Sequence, residues 1–535
     1  MNILCLNLKT PALALRAQGH AVLELSLDRG MHRLEPILRQ QDFTPDLFVQ
    51  RELLGERVLC VDLPTLPCVR AFWSVDTHLN LFWQWQYAQL FDVLLTPHPS
   101  FVHALPERMR PPALRHLPWW GEALPWVPHA ARQHDISFVG RQNPSARPLR
   151  AYLGTLLRGL YGVPLQDGLS RQDMLNLYTQ TRLLPNESIA FEANFRLLEG
   201  ASAGCCLLTP DIGEDQNTQL DPGTECLIYH DGLELLELLE LCRHRPNMAE
   251  RIGLAAYRRV QACHLPAHRA AALSELAGLA RSGANGEAAS LHLWLTLAHI
   301  GRDQQDAHLC GQAMDMLECL PPSPENLAMR LQLAWETGRT ETATALLHTA
   351  LARQDALCLD LAGFGVAALQ RDLESARLFA RRLPKTQTDS LEGMCLDWAR
   401  HLAAEGYDWQ PGFHIAVGRH CPGSALEMIM LARLLGAPDA LCAELTSALP
   451  AVQRHMGFVL MGSLARLVLE AGDDWRIRTD LGLAYLRCYR VQEGLDELTL
   501  ARDHACRLDQ DGAFTELLHA RGASHAVKAL SGQGN

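Results

Sequence analysis

The sequence contains no run of about eighteen uninterrupted apolar residues, the length a membrane-crossing helix needs, so no integral membrane segment is expected. Clusters of lysine and arginine are missing as well. With a net charge of -12 and no basic run, the chain is not expected to bind nucleic acid, because phosphate affinity needs concentrated positive charge. The opening MNILCLNL lacks a positive leading region and is interrupted at Lys9, so it reads as a first strand and not as a signal peptide. Among sixteen cysteines there is no C-x-x-C pair and no zinc-like Cys/His spacing. Many lie in apolar contexts such as CCLL and YLRCY, where a free thiol behaves as a small buried hydrophobe, and a reducing, cytoplasmic home is the expectation.

Several chemical signatures are also absent. There is no G-x-x-x-x-G-K-[ST] loop, no G-x-G-x-x-G, no H-E-x-x-H and no G-x-S-x-G. The single D-x-D, Asp509 to Asp511, falls late in the chain in a solvated, helical context, so no metal site is assigned. No cofactor is called for beyond whatever substrate the chain binds.

What is present is a chain of 535 residues, 48% apolar and 20% charged, a globular composition long enough for two to four domains. Its first part alternates short apolar runs with helix-length segments: NILCLNL, PALALRAQGH, AVLELSL, then DLFVQ, RVLCVDLP, VRAFWSVD and FDVLLTP. That pattern predicts a parallel sheet with helical crossovers. After the Trp- and Pro-containing LPWWGEALPWVP a second such series opens at DISFVGR and continues through GVPLQDG, TRLLPN, CCLLT and ECLIYHD. From about Glu287 the strand signal gives way to Leu- and Ala-rich helix pairs. LGLAYLRCYRVQEGLDEL places Gly482, Tyr485, Gly494 and Leu498 at the spacing of a tetratricopeptide helix pair, and Ala343 and Ala376 hold equivalent small-residue positions about one repeat apart. The expected fold class is therefore α/β plus all-α: two Rossmann-like domains, residues 1–130 and 131–285, followed by a tetratricopeptide-like α-solenoid over 286–535.

One segment, NFRLLEGASAGCCLLT, reads as a short helix running through a glycine into a buried strand, with Gly204 available for the left-handed turn that ends a helix. Arg196 and Glu199 are three apart and share a helical face; they either pair with each other or face a ligand. A helix start in an α/β unit suits an anion, because its first N–H groups are unpaired and its dipole is positive there. Gly140 and Arg141 follow the apolar SFV, at a strand's carboxyl end where ligands of such sheets bind, and Gly140 would let backbone approach a phosphate while Arg141 and Arg147 add charge. Asp76 and His78 in SVDTHLN lie at another strand end, where a carboxylate or imidazole accepts a hydroxyl proton; a capping Asp beside a surface His explains the same letters. The eleven tryptophans gather in the first half, including WQWQY and Trp119–Trp120, where packing is the commoner use.

NFRLLEGASAG, TECLIYHD and HLPAHR, with WSVDTHLNLFWQWQYAQLFDVLLT and DISFVGRQNPSAR upstream, resemble in order and spacing the CgeB-type (spore-maturation-like) glycosyltransferases over roughly residues 1 to 280. The resemblance implies a two-domain GT-B enzyme that moves a sugar from a nucleotide-sugar donor to an acceptor across a cleft between the Rossmann halves, without a metal. It implies that Asn194, Arg196 and Glu199 sit at the donor, Arg196 toward phosphate and Glu199 toward ribose or sugar hydroxyls, with Glu225 near the donor and Tyr229 in packing. Asp76 and His78 would face the acceptor. His264 and Arg269 match a late motif and imply a structural role. One departure concerns the paired glutamates of many retaining GT-B enzymes: eight positions before Glu199 stands Phe191, with Glu192 one residue late. The helical repeats suggest that the acceptor, a protein or glycan, is held there. A non-catalytic interaction scaffold with a degenerate transferase domain, or a sugar-nucleotide epimerase, are the alternatives.

Overall fold

The computed structural model describes residues 1–53, 55–141, 144, 147–188, 192–353, 356–384, 388–409, 421–455, 457–471 and 474–532. Phe191 lies outside them, as do four residues of the RQNPSAR stretch. The chain divides into two compact units, Met1–Pro118 with Ala267–Pro438, and Trp119–Pro266 with Asp439–Asn535. Each contains one main parallel α/β sheet, a smaller two-stranded one and a share of the helical region.

In the first unit six parallel strands run in the order Ala21–Leu25, Asn2–Leu6, Leu47–Arg51, Val69–Trp73, Val93–Thr96, Leu114–His116. The central runs are apolar on both faces, as a sheet covered on both sides requires, and Leu4, Val49, Ala71 and Leu94 have no exposed surface. RVLCVDLP departs from the expected series. Among the described residues its strand Val58–Cys60 pairs with Gly30–His32 alone, in a separate two-stranded sheet. Side chains take up its other backbone groups: Gln50 Nε2 donates to the Val58 carbonyl at 2.8 Å, and Cys60 N donates to the Tyr87 hydroxyl at 2.8 Å.

The chain returns to this sheet at residues 282–283, where Asp92 Oδ1 accepts from Ser282 N at 2.7 Å and Gly283 N at 2.8 Å while both its oxygens hold the buried Arg70. Beyond that point every described element is a helix, from Gly286–Gln304 to Ser524–Gly532. Helix Gly286–Gln304 packs on Thr77–Ala88, with a 2.6 Å contact between His292 Nδ1 and Gln86 Oε1. Ala343 and Ala376 are fully buried in helices Thr340–Leu351 and Leu373–Ala380, where their small size lets neighbouring helices approach.

The second unit has four parallel strands in the order Leu227–Tyr229, Cys206–Pro210, Thr181–Pro185, His134–Ile136, and a parallel pair, Phe138–Val139 with Leu165–Gln166. Helices Trp475–Arg487 and Val491–Arg507 form the hairpin that the glycine spacing predicts. Gly482 and Gly494 pack against each other's helix so closely that a Cβ on Gly482 would lie 2.8 Å from Leu498. Tyr489, in the turn of this hairpin, is part of the same buried cluster as the sheet residues Leu183, Leu208 and Tyr229. Parallel α/β sheets followed by an all-helical region are thus the fold class that the sequence predicts. All sixteen cysteines are free thiols, most of them buried. No described helix is long and apolar enough to cross a membrane.

Candidate functional site

The segment opened by Asn194 folds as expected. Its helix runs Phe195–Ser202, Gly204 takes φ +73° to end it, and strand Cys206–Pro210 follows. Leu197, Leu198 and Ala201 bury one face of this helix, and Phe195 stacks on Trp119 at 4.6 Å between ring centres. These contacts leave the helix little freedom to rotate, so its polar residues have fixed directions.

Arg196 and Glu199 do not pair with each other through a hydrogen bond. Arg196 reaches toward the carboxyl ends of the strands: Nη2 donates to the Val139 carbonyl at 2.6 Å and Nη1 to Asn186 Oδ1 at 3.1 Å, with the guanidinium 5.1 Å over the Phe138 ring. Glu199 instead accepts from Arg171 Nη1 at 3.1 Å, and Arg171 bridges on to Glu122 at 2.8 Å. Burial raises the Glu199 carboxyl above its ordinary range, and the Arg171 and Arg196 charges only partly counter it.

Gly140 lies beside Arg196. It follows strand Phe138–Val139, donates its N–H to the Gln166 carbonyl at 3.1 Å and adopts φ +152°. A Cβ here would stand 2.9 Å from Arg196 Nη2 and 3.0 Å from Arg150 Nη1, so two guanidinium groups converge on a backbone position that only glycine can occupy. Arg150 is held by Glu187, its Nε donating to Oε2 at 2.9 Å, and Glu187 is wholly buried. Burial lowers the Arg150 pKa, Glu187 pulls it back up, and Arg196 lowers it again. Asn194 Nδ2 donates to the Glu187 carbonyl at 2.6 Å. Among the described residues three buried polar atoms in this cluster have no hydrogen-bond partner: Arg196 Nε, Glu187 Oε1 and Asn194 Oδ1. Buried polar groups are normally paired, so their convergence marks a place for a polar ligand.

Arg150, Asn186 and Glu187 are the members of this cluster that sequence reasoning misses. Their signal lay in position: Asn186 and Glu187 follow directly on the strand Thr181–Pro185, and Arg150 lies in the first turn of helix Pro148–Tyr161. Of the residues expected near them, Arg147 takes the N-cap position of that helix and Arg141 is exposed. Glu225 lies just before strand Leu227–Tyr229, where Oε2 accepts from Asp221 N at 2.8 Å and sits 3.9 Å from Arg259. Tyr229 is buried, and its hydroxyl donates to the Asn186 carbonyl. His264 and Arg269 are buried too: the His264 carbonyl accepts from Gly121 N at 2.8 Å, and Arg269 Nε donates to the Pro118 carbonyl at 2.8 Å.

Asp76 and His78 belong to the first unit, at the carboxyl end of strand Val69–Trp73. Asp76 occupies the N-cap position of helix Thr77–Ala88, yet its side chain makes no capping hydrogen bond. Its backbone N–H is instead held by Glu52, whose Oε2 accepts from Val75 N at 2.7 Å and Asp76 N at 3.1 Å while Oε1 accepts from Asn80 at 2.6 Å. His78 is not the surface residue of the blander reading. It is 3% exposed and meets the buried His98 ring edge to face at 5.6 Å, because the helix turns it inward onto His98 and Phe101. Burial, then the His78 and His116 charges, push the His98 pKa well below the usual imidazole value. Asp509 and Asp511 are exposed beside the turn that follows helix Val491–Arg507, and among the described residues no group of three or more His, Cys, Asp or Glu is placed to hold a metal ion.

Residues 123–275, which include the whole four-stranded sheet and the Gly140–Arg150–Arg196 cluster, match a protein-family model described as glycosyl transferase-like. Solved structures similar to this chain include sucrose-phosphate synthase from Thermosynechococcus elongatus, with 11% identity, 52% of this chain and 98% of that chain covered and a TM-score of 0.37. A glycosyltransferase from Rickettsia africae is similar at 11% identity, over 52% of this chain and 97% of that one, with a TM-score of 0.38. The glycosyltransferase SnogD from Streptomyces nogalater is similar at 17% identity, over 52% and 99%, with a TM-score of 0.30. No curated protein matches the chain. The chain thus carries a glycosyltransferase-like segment, and that segment contains the arginine cluster.

Proposed function

We propose that this chain is a glycosyltransferase of the GT-B kind, transferring a sugar from a nucleotide-sugar donor to an acceptor, with the Gly140–Arg150–Arg196 cluster receiving the donor diphosphate. Glycosyl transfer leaves negative charge on a departing diphosphate, and fixed cations aimed at that charge lower the barrier. The observation that carries the reading is the convergence on Gly140 of two guanidiniums, that of Arg196 buried and that of Arg150 partly buried, with Arg196 Nε lacking a partner among the described residues. It lies within the segment whose family model is glycosyl transferase-like. The first N–H groups of helix Phe195–Ser202 add their partial positive charge beside Asn194. Because arginines supply this charge, the transfer proceeds in this reading without a metal.

Glu199, buried and tied to Arg171, is the group for ribose or sugar hydroxyls, since a buried carboxylate accepts such bonds strongly. Asp76, half-buried at a strand's carboxyl end where His78 is turned inward, serves the acceptor hydroxyl, and the helix pairs of the tail hold an acceptor protein or glycan. The test is calorimetric titration of the full chain with uridine, guanosine, adenosine and thymidine diphosphates. At least one should bind, and Arg150→Ala with Arg196→Ala should abolish that binding while the chain stays folded by circular dichroism. Unchanged binding in the double variant removes the diphosphate from this cluster.

A further inference from the structure

The hairpin of helices Trp475–Arg487 and Val491–Arg507 does more than stack on its neighbours in the tail. Its turn residue Tyr489 adopts φ +61°, a conformation uncommon for a bulky residue, and is 5% exposed among the sheet residues of the second unit. Its hydroxyl lies 2.8 Å from that of Tyr229. The single Tyr229 proton goes to the Asn186 carbonyl, so Tyr489 is the donor in that contact. The Asn186 side chain then accepts from Arg196 Nη1. Three consecutive hydrogen bonds therefore run from the helical tail to a guanidinium beside Gly140.

A second contact leads to the other guanidinium. Arg490 places its charge 5.6 Å over the ring of Tyr152, which is on the helix that carries Arg150. Two adjacent residues of one turn thus reach the hydrogen bonds to Arg196 and the helix that carries Arg150. Packing alone does not account for the tyrosine, because phenylalanine would fill the same apolar space without a buried hydroxyl that must find a partner.

We infer that Tyr489 is a positioning residue for the candidate donor site: through Tyr229 and Asn186 it fixes the direction in which Arg196 presents its guanidinium. This rests on the reading of the Gly140–Arg150–Arg196 cluster as the diphosphate site. A helical tail joined to the site in this way makes donor binding depend on how the hairpin is seated.

The experiment compares Tyr489→Phe with Leu498→Ala in the full chain. Leu498 is fully buried within the hairpin, so its truncation loosens the tail without touching the hydrogen-bond chain. Two quantities are read well below the melting temperature: affinity for the nucleoside diphosphate that binds best, and amide exchange over residues 181–188 without ligand. For Tyr489→Phe the expected results are affinity weakened about fivefold, as loss of one hydrogen bond implies, faster exchange over 181–188 and a nearly unchanged Tm. Leu498→Ala is expected to lower Tm and leave both quantities as they are. Unchanged affinity and exchange in Tyr489→Phe overturn the inference, as does an equal loss of affinity in Leu498→Ala. If the parent binds no nucleoside diphosphate, the donor reading falls by itself, and faster exchange over 181–188 in Tyr489→Phe still supports the positioning link.

Discussion

Arg150 Nε donates to Glu187 Oε2 at 2.9 Å, and the carboxylate that holds it has no exposed surface, so one of the two cations beside Gly140 is half-neutralised inside the protein. This arrangement opposes stability to anion affinity. Glu187→Gln keeps the shape but strips the partly buried Arg150 of its counter-charge, and breaking a pair in this way costs up to about 3–5 kcal/mol when both partners are buried. The same change adds one positive charge to the cluster. The urea midpoint should therefore fall while nucleoside diphosphate affinity at low salt rises, the gain shrinking as salt screens it. A variant in which midpoint and affinity fall together would place the diphosphate elsewhere.

Asp92 predicts an acid sensitivity in the first unit. Its burial favours the neutral form, but hydrogen bonds from the Arg70 side chain and from the Gly283 and Arg70 N–H groups outweigh that, and its pKa lies below the ordinary carboxylate value. A depressed carboxylate contributes stability that is present above the unfolded value near 4 and is lost as pH falls through the lower folded value. The melting temperature of Asp92→Asn should accordingly lie well under that of the parent at pH 7, with the gap closing toward pH 3. A gap that stays constant across this range would mean that the carboxylate charge is not what pins residues 282–283.

The architecture was legible in the sequence wherever hydrophobic period decided it. NILCLNL, DLFVQ, VRAFWSVD, TRLLPN and CCLLT are strands because each is an apolar run too short for a helix and bounded by turn residues. RVLCVDLP has the same period, and its separate pairing was hidden because side chains outside it, Gln50 and the more distant Tyr87, satisfy part of its backbone. At the candidate site the glycine and the helix-borne arginine were readable from local pattern: Gly140 follows a strand, and Arg196 opens a helix. Arg150 and Glu187 were not, because an ion pair between residues 37 positions apart leaves no periodic trace. The burial of His78 escaped for a related reason: WSVDTHLN sets its place on the helix, whereas His98 and Phe101, which cover it, come from another strand end.

The last prediction concerns how the chain's final helix is fastened. Asp231 caps helix Gly232–His244 with Oδ1, accepting from Leu233 N at 2.9 Å and Glu234 N at 3.0 Å, and turns Oδ2 to His525 Nε2 at 2.7 Å. The hydrogen bond to Asp231 raises the His525 pKa, burial opposes it, and the Asp231, Glu234 and Glu237 charges raise it further. An imidazole raised in this way contributes stability that is complete below its unfolded value near 6.5 and is lost as pH rises through the higher folded value. Amide exchange over helix Ser524–Gly532 should therefore be slow at pH 6 and, after correction for intrinsic rates, less protected at pH 9. His525→Ala should abolish that difference by making the helix labile at both values. It should leave helix Gly232–His244 intact, because the cap uses the other carboxylate oxygen. If protection in the parent were the same at pH 6 and pH 9, apolar contacts of Ala526 and Leu530, which are buried in the tail core, would be holding the helix without help from the charge.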